Sequence, residues 1–239
     1  MDRQVASLFA LCLLTGPAWA GDRAGLDLIG YSPDSRYFAF EEFGIQDGSG
    51  SAYSTIYMID LQSDAWVKGT PIRKLAEGEA GALPDVRAEA LAAASGKIEE
   101  FAITTPAELI AVNADGVPGN DGQNLTFGIP GYLPGDVNGA YELTLSTFPA
   151  ETTEPCGDWF DFEPLGFSIE LTAGDVSLFW QQDGPPLPRS RGCPSAYRIH
   201  GVAIPFMAQE PTDAVALISV YPGGFEGPDR RFIAVPLGQ

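Results

Sequence analysis

Short runs of β-favouring residues, separated by turn-forming clusters, recur along most of the chain. Tyr37–Phe40 and Thr55–Leu61 carry apolar residues on both faces, a pattern typical of strands that are covered on two sides. Leu26–Tyr31 precedes them, and Ala65–Val67 follows after a turn. Four strands joined by hairpins predict one antiparallel sheet in the first part of the chain.

From Glu108 onward the chain again shows the pattern of strands. Tyr141–Ser146 alternates apolar and polar positions strictly, as a half-exposed antiparallel strand does. The spacing of the strands, with Gly, Pro and Asp between them, predicts a mainly β fold of antiparallel sheets, either propeller-like or a sandwich. The candidate strands here are Glu108–Asn113, Leu125–Ile129, Tyr141–Phe148, Gly166–Leu171, Val176–Gln181, Tyr197–Ile204, Ala214–Tyr221 and Arg231–Val235.

One stretch, residues 84–101, has helical character. Pro84 and Asp85 suit a helix start, and the residues that follow are rich in strong helix formers. We expect one α-helix that packs its apolar stripe against a sheet, the alternative being a helix that binds a partner. The stripe consists of Val86, Ala90, Leu91, Ala94, Ile98 and Phe101.

The first twenty residues have the layout of a secretory signal peptide. Val5–Leu14 is almost continuously apolar, a Gly-Pro pair ends the run, and Ala18-Trp19-Ala20 forms a cleavage site. The run is shorter than the about 20 apolar residues that cross a bilayer, although a retained anchor or a buried helix is the alternative. We expect cleavage near Ala20, and a single soluble β-rich domain over residues 21–239 in the periplasm or outside the cell.

The charge balance of the chain indicates which classes of partner it can bind. The chain has 32 acidic and 13 basic residues, a formal net charge of −19, and 45% hydrophobic residues. Nucleic acid and anionic lipid both need a surface rich in Lys and Arg, so neither is expected. We expect a protein or a small ligand as the partner, and no membrane span.

Cysteine usage agrees with export. Cys12 lies in the leader, so Cys156 and Cys193 remain. An even cysteine count in an exported chain indicates a disulfide, and we predict this pair. The alternatives are two free thiols or half of a metal site, but zinc would need more ligands, and His200 is the one histidine in the chain.

Candidate catalytic groups are of two kinds. His200 lies in an apolar strand, and the Gly-x-Ser-x-Gly turn of many serine hydrolases is absent, which favours a structural or surface histidine over a triad. Acidic side chains near aromatic ones allow a glycosidase-like acid/base pair, the alternative being solvated loops beside the disulfide. These acids are Glu41, Glu42, Asp158, Asp161 and Glu163.

Two further clusters suggest ligands. Asn113, Asp115, Asn120 and Asp121 concentrate oxygen atoms in a Gly-rich loop, which makes calcium the one cofactor to consider, although the order of an EF-hand is missing and a plain turn is the alternative. The second cluster comprises four arginines in two short segments of a very acidic chain. They predict either Arg–carboxylate pairs that pin loops or an anion-binding pocket. These are Arg189, Arg191, Arg230 and Arg231.

Two resemblances to known families are visible. Ser32–Phe40 followed by Ile56–Leu61 resembles one blade of a TolB-type β-propeller, which implies a four-stranded sheet there. Leu187–Cys193 with Tyr197, together with Gly224–Phe232, is similar to a bacterial family of predicted secreted proteins of unknown function. That resemblance implies export and a single domain, and it implies no activity.

Taken together, these patterns leave open whether the chain is an enzyme. They favour an exported, non-catalytic binding or interaction module. The alternative is a carbohydrate-active or other hydrolase that uses paired carboxylates, and a deep cleft with two convergent carboxylates is the feature that would distinguish it.

Overall fold

Three antiparallel sheets, stacked face to face, dominate the structure. The computed structural model describes residues 21–76, 81–224 and 227–238, so the predicted signal peptide over residues 1–20 lies outside them. Within the described ranges, no helix combines the length and the apolar character that crossing a membrane requires.

Each of the three sheets contains four or five strands. The N-terminal sheet contains β1 (Gly25–Tyr31), β2 (Tyr37–Ile45), β3 (Ala52–Asp60), β4 (Ala65–Trp66) and β5 (Ile72–Leu75). The outer sheet contains β7 (Asn124–Pro130), β8 (Val137–Pro149), β9 (Leu165–Ala173) and β10 (Val176–Gln182). The central sheet, in the order β13-β12-β11-β6, contains β6 (Ala107–Val112), β11 (Pro194–Pro205), β12 (Val215–Pro222) and β13 (Arg231–Pro236).

The central sheet is buried on both faces. Ala216 and Ile218 of β12 pack with the outer sheet, whereas Val215 and Leu217 pack with the N-terminal sheet. All four are fully buried, because successive residues of a strand point to opposite faces. The continuous apolar run in this part of the sequence therefore reflects a strand between two layers.

A helix covers the far face of the N-terminal sheet. It is α1 (Leu83–Glu100), and it packs on Ile56 of β3 through Ala90 and Ala94, which have no exposed surface. Small side chains at these two positions let the helix backbone approach the sheet. Leu91 of the predicted stripe is 49% exposed, because it lies to one side of this alanine face.

The sequence-based prediction of the fold class is confirmed, with stacked sheets of the sandwich type rather than a closed barrel. Each predicted strand and the predicted helix is present, with small differences at the ends. Strand β5 was not predicted, because Ile-Arg-Lys-Leu is too short and too charged to stand out from a loop. Its pairing with β3 supplies the hydrogen bonds that its sequence does not predict. A second short helix, α2 (Cys156–Trp159), precedes β9.

Enlarging the alanine face of α1 should destabilise the protein. We expect Ala94→Leu to lower the free energy of unfolding by about 1–3 kcal/mol, because extra methylenes overfill a packed site. Urea unfolding followed by circular dichroism measures the effect. The matched control is Ala93→Leu, which places the same side chain at an exposed position of the same helix. Equal effects at the two positions would contradict this packing.

Candidate functional site

A cleft of about 300 Å³ opens between the N-terminal sheet and the central sheet, and we call it the inter-sheet cleft. Strands β2, β3 and β5 supply one wall, and β12 and β13 supply the other. Residues 188–192, which include a 3₁₀ helix (Arg189–Arg191), also line it. A smaller cavity of about 150 Å³ shares Glu42, Arg73 and Arg231 with it. Both lie where the two layers diverge at the margin of their common core.

A row of stacked aromatic rings leads from the core into this cleft. The ring of Phe40 stacks on that of Tyr57 at 4.9 Å between centroids, and Tyr57 contacts Trp66 at 5.8 Å. Tyr57 is buried, whereas Trp66 is 44% exposed and lines the cleft. Trp66 therefore offers a ring face to a ligand, while the rings behind it hold the wall rigid.

Two arginines line the cleft and form no salt bridge among the residues that the structure describes, although the charge of Arg73 lowers the pKa of nearby Glu42. Arg73 projects from β5 and interacts with the hydroxyl of Tyr57. Arg189 begins the 3₁₀ helix on the opposite wall, and both side chains lie at exposed positions. Both guanidinium groups therefore remain outside the salt bridges of the described residues, within a chain of net charge −19.

Arg231 also reaches the cleft, but carboxylates surround it. Its guanidinium lies 2.8 Å from Asp22, 3.0 Å from Asp229 and 3.8 Å from Glu42. The same group donates a hydrogen bond to the hydroxyl of Tyr53 at 3.1 Å. This cluster joins the last strand to residue 22 and to β2, and it leaves little positive charge for a ligand.

Glu42 is the most perturbed carboxyl of the cleft. Burial raises its pKa from 4.5 to about 7, although the backbone N–H of Phe232, at 2.8 Å, and the charges of Arg231 and Arg73 oppose the shift. Burial also raises the pKa of Asp22, against the opposing charge of Arg231. A buried carboxyl that exchanges its proton near neutral pH is common at functional sites, and also within structural ion-pair networks.

Asp64 is the second carboxyl that lines the cleft. Its pKa is raised by burial, and Asp183 adds to the shift while the amide of Gln181, which donates a hydrogen bond at 2.7 Å, opposes it. The charge of Arg191 also opposes the raised pKa of Asp64.

The predicted disulfide is present in the structure and anchors one wall of the cleft. Cys156 is bonded to Cys193, two residues beyond the 3₁₀ helix. Arg191 of that helix is buried and pairs with Asp183 at 2.9 Å, and its guanidinium lies over the ring of Phe167. The disulfide and this ion pair fix the backbone that carries Arg189.

The four arginines singled out in the sequence separate into different environments. Arg191 and Arg231 are bound by carboxylates, as the loop-pinning hypothesis predicts, and Arg189 faces the inter-sheet cleft without one. Arg230 lies in another cavity, where it donates to the carbonyl of Ala24 and pairs with Asp115. Arg191, Arg230 and Arg231 thus each have a carboxylate partner, and Arg189 forms no salt bridge among the described residues.

The predicted calcium ligands lie close together, but their polar atoms are engaged with the protein. The amide of Asn113 donates to the carbonyl of Asn124, and its oxygen accepts from Asn120. The side-chain oxygens of Asn120 and Asp121 each accept a backbone N–H two residues ahead, and Asp115 pairs with Arg230. These hydrogen bonds stabilise a turn, and we propose no metal site there.

The other predicted groups lie away from the cleft. His200 packs edge-on against the ring of Phe232, and its pKa is lowered by burial and by the charge of Arg230. Asp158 and Glu163 line an open depression of about 400 Å³ beside the disulfide, which Asp161 does not line. Glu41 is turned toward α1, where it accepts hydrogen bonds from Arg87 at 2.7–3.1 Å. Only Glu42 of the predicted acids reaches the inter-sheet cleft.

Comparison with known protein families identifies the chain. A family model described as Predicted secreted protein (DUF2259) matches residues 39–237. The chain belongs to this family. The match covers both walls of the inter-sheet cleft, and the family description agrees with export without assigning an activity. No curated protein and no solved structure matches the chain.

Several residues of the cleft were not identified from the sequence. Arg73 lies in the unpredicted strand β5, and Trp66 and Asp64 belong to a hairpin that carries no motif. An aromatic and two charged residues within ten positions were the only local signal, and such groups are common on protein surfaces. These cleft residues come near Arg189 only because the layers stack, and no local pattern in the sequence predicts that stacking.

Removing the disulfide should weaken the fold considerably. We expect the double variant Cys156→Ala/Cys193→Ala to lose about 3.8 kcal/mol of unfolding free energy, because the bond closes a loop with a sequence separation of 37. Urea unfolding of the variant and of the oxidised protein gives the difference. A loss below about 1 kcal/mol would show that this loop-closure argument does not apply to the chain.

Glu42 should make stability depend on pH. The folded protein holds the Glu42 proton more tightly than the unfolded chain, so stability is full below pH 4.5 and falls as pH rises through about 7. We expect Glu42→Gln, which still accepts the Phe232 N–H, to remove about 3 kcal/mol of this loss. Urea unfolding between pH 4.5 and 8 measures this loss of stability. The control is Glu163→Gln, which removes an exposed carboxyl group. Parallel curves for Glu42→Gln and the unsubstituted protein would exclude Glu42 as the source.

Proposed function

We propose that the protein is an exported, non-catalytic binding module, and that its ligand site is the inter-sheet cleft. The observation that carries the proposal is that Arg73, Arg189 and Trp66 all line this cleft, and that the two arginines form no salt bridge among the described residues. The ligand is a small molecule that combines an anionic group with a flat apolar ring.

The charges of the cleft support this ligand class. A guanidinium offers several N–H donors in one plane and binds carboxylate or phosphate oxygens in pairs. Arg191 and Arg231 already have acidic partners inside the protein, so Arg73 and Arg189 are the arginines of the cleft that remain for a ligand. An anion would supply the salt-bridge partner that these two arginines lack among the described residues.

The shape of the cleft supports a ligand of modest size. A volume of about 300 Å³ is at the lower end of small-molecule sites. Trp66 contributes an exposed ring, and the stacked rings of Tyr57 and Phe40 support it from behind. Ring stacking in such a wall adds about 0.5–1.5 kcal/mol beyond area burial and orients the ligand.

The carboxyls of the cleft favour binding over hydrolysis. A glycosidase-type pair needs two carboxyls about 5–10 Å apart on either side of one bond. Glu42 accepts the backbone N–H of Phe232 and lies 3.8 Å from Arg231, and Asp64 accepts a hydrogen bond from Gln181. The hydrolase alternative therefore has less support than a binding role.

The proposal is tested by titrating the purified exported protein with benzoate, a ring that bears one carboxylate. We expect saturable binding that changes the fluorescence of Trp66, with heat detected by calorimetry. Arg73→Gln and Arg189→Gln should each weaken it about tenfold, because each removes a charge-assisted hydrogen bond. Trp66→Leu should remove the fluorescence response and weaken binding.

The matched control is Lys74→Gln. It removes one positive charge from the neighbouring residue of the same strand, and Lys74 points to the opposite face of the sheet. Benzyl alcohol, which lacks the charge, should bind far more weakly than benzoate. Equal weakening by Lys74→Gln and Arg73→Gln, or no saturable benzoate binding at all, would overturn the proposal.

A further inference from the structure

A second cavity, of about 350 Å³, lies where β11 begins and β12 ends. Among the described residues, three arginines line it, namely Arg23, Arg198 and Arg230, together with a single acidic residue, Asp115. We call it the arginine cavity. It shares no lining residue with the inter-sheet cleft, although Arg230 and Arg231 are adjacent in the chain.

Two of these arginines are held in place by backbone carbonyl groups. Arg198 donates to the carbonyl of Asn120 at 2.8 Å, and Arg230 donates to the carbonyl of Ala24 at 2.7 and 3.2 Å. Gly122 has φ of +71°, and a Cβ there would lie 2.8 Å from the Arg198 side chain. The loop is thus shaped to let Arg198 lie across it. A carbonyl orients a guanidinium but does not cancel its charge.

The segment of residues 22–24 contributes the third positive charge. Residues 22–24 run beside residues 229–231, joined by backbone hydrogen bonds from Arg230 to Asp22 and from Ala24 to Arg230. This pairing brings Arg23 to the cavity, where it is exposed and has no ion pair among the described residues. Three guanidinium groups thus meet from segments distant in the sequence.

The charge sum indicates the class of ligand. Three guanidinium groups and one carboxylate leave the cavity with two net positive charges, within a chain of net charge −19. Phosphate carries about 1.5 to 2 negative charges at pH 7, and several oxygens that accept from guanidinium groups. We propose that the arginine cavity binds a free phosphate or the phosphate group of a small molecule.

The acidic surface argues for a free phosphate rather than a lipid headgroup. A bilayer of anionic lipids is repelled by the net charge of the protein, whereas a small ion enters the cavity and meets mainly the local arginines. Sulfate, with the same geometry and charge, should compete with phosphate. Acetate, with a single charge and two oxygens, should bind at least about tenfold more weakly, since it engages fewer donors.

The test is calorimetric titration of the exported protein with inorganic phosphate at pH 7.5 and low salt. We expect saturable binding at one site, weakened about tenfold by Arg198→Gln and by Arg23→Gln. Asp115→Asn should strengthen it several-fold, because it removes the one negative charge of the cavity and keeps the hydrogen bond to Arg230. This gain is a result that simple loss of structure would not produce. Circular dichroism establishes that each variant is folded.

A control variant and four possible results can contradict the phosphate proposal. Lys74→Gln, which removes a charge outside both cavities, should leave the phosphate affinity unchanged. Absence of saturable phosphate binding, equal affinity for acetate, or a weaker Asp115→Asn variant would each overturn the proposal. So would cosedimentation with phosphatidylglycerol vesicles in the absence of any response to free phosphate. Benzoate binding in the inter-sheet cleft is measured separately and does not depend on these results.

Discussion

Burial of the central sheet on both faces is the constraint on which the rest of the structure depends. Its strands are apolar at consecutive positions, so one layer of cover would leave half of their side chains in water. The outer sheet covers one face and the N-terminal sheet covers the other. The N-terminal sheet is in turn apolar on its far side, through Ala39 and Met58, and α1 lies near that face. Each layer thus covers an apolar face that its neighbour would otherwise expose to water.

The few arginines divide into those that hold the layers together and those that face cavities. Arg87 joins α1 to β2 through Glu41, and Arg231 joins β13 to β2 and to residue 22. Each has carboxylate partners that are buried, so removing either partner would leave an uncompensated charge. Arg73, Arg189 and Arg23 have no carboxylate partner among the described residues. The distinction separates arginines that carry salt bridges between layers from arginines that form none among the described residues.

The value of local sequence patterns differs between the fold and the sites. The strand runs and the helix of residues 83–100 were predicted, because alternation, turns and helix formers act over a few neighbours. The disulfide is also predictable, since Cys156 and Cys193 are the two cysteines outside the predicted signal peptide. Strand β5 was missed because it is strand-like only through its pairing with β3. The sequence singles out Arg189 but not Arg73 and Trp66, which line the same cleft.

The sequence by itself determined a mainly β chain with one long helix and a strongly acidic composition, because these depend on residue content and on short-range periodicity. The tertiary structure decided that the sheets stack in three layers and that two cavities form at their margins. It also decided which arginines meet a carboxylate. Those contacts join residues far apart in the chain, such as Arg231 with Asp22 and Arg230 with Asp115. No local pattern encodes them, since they exist only after the layers have packed.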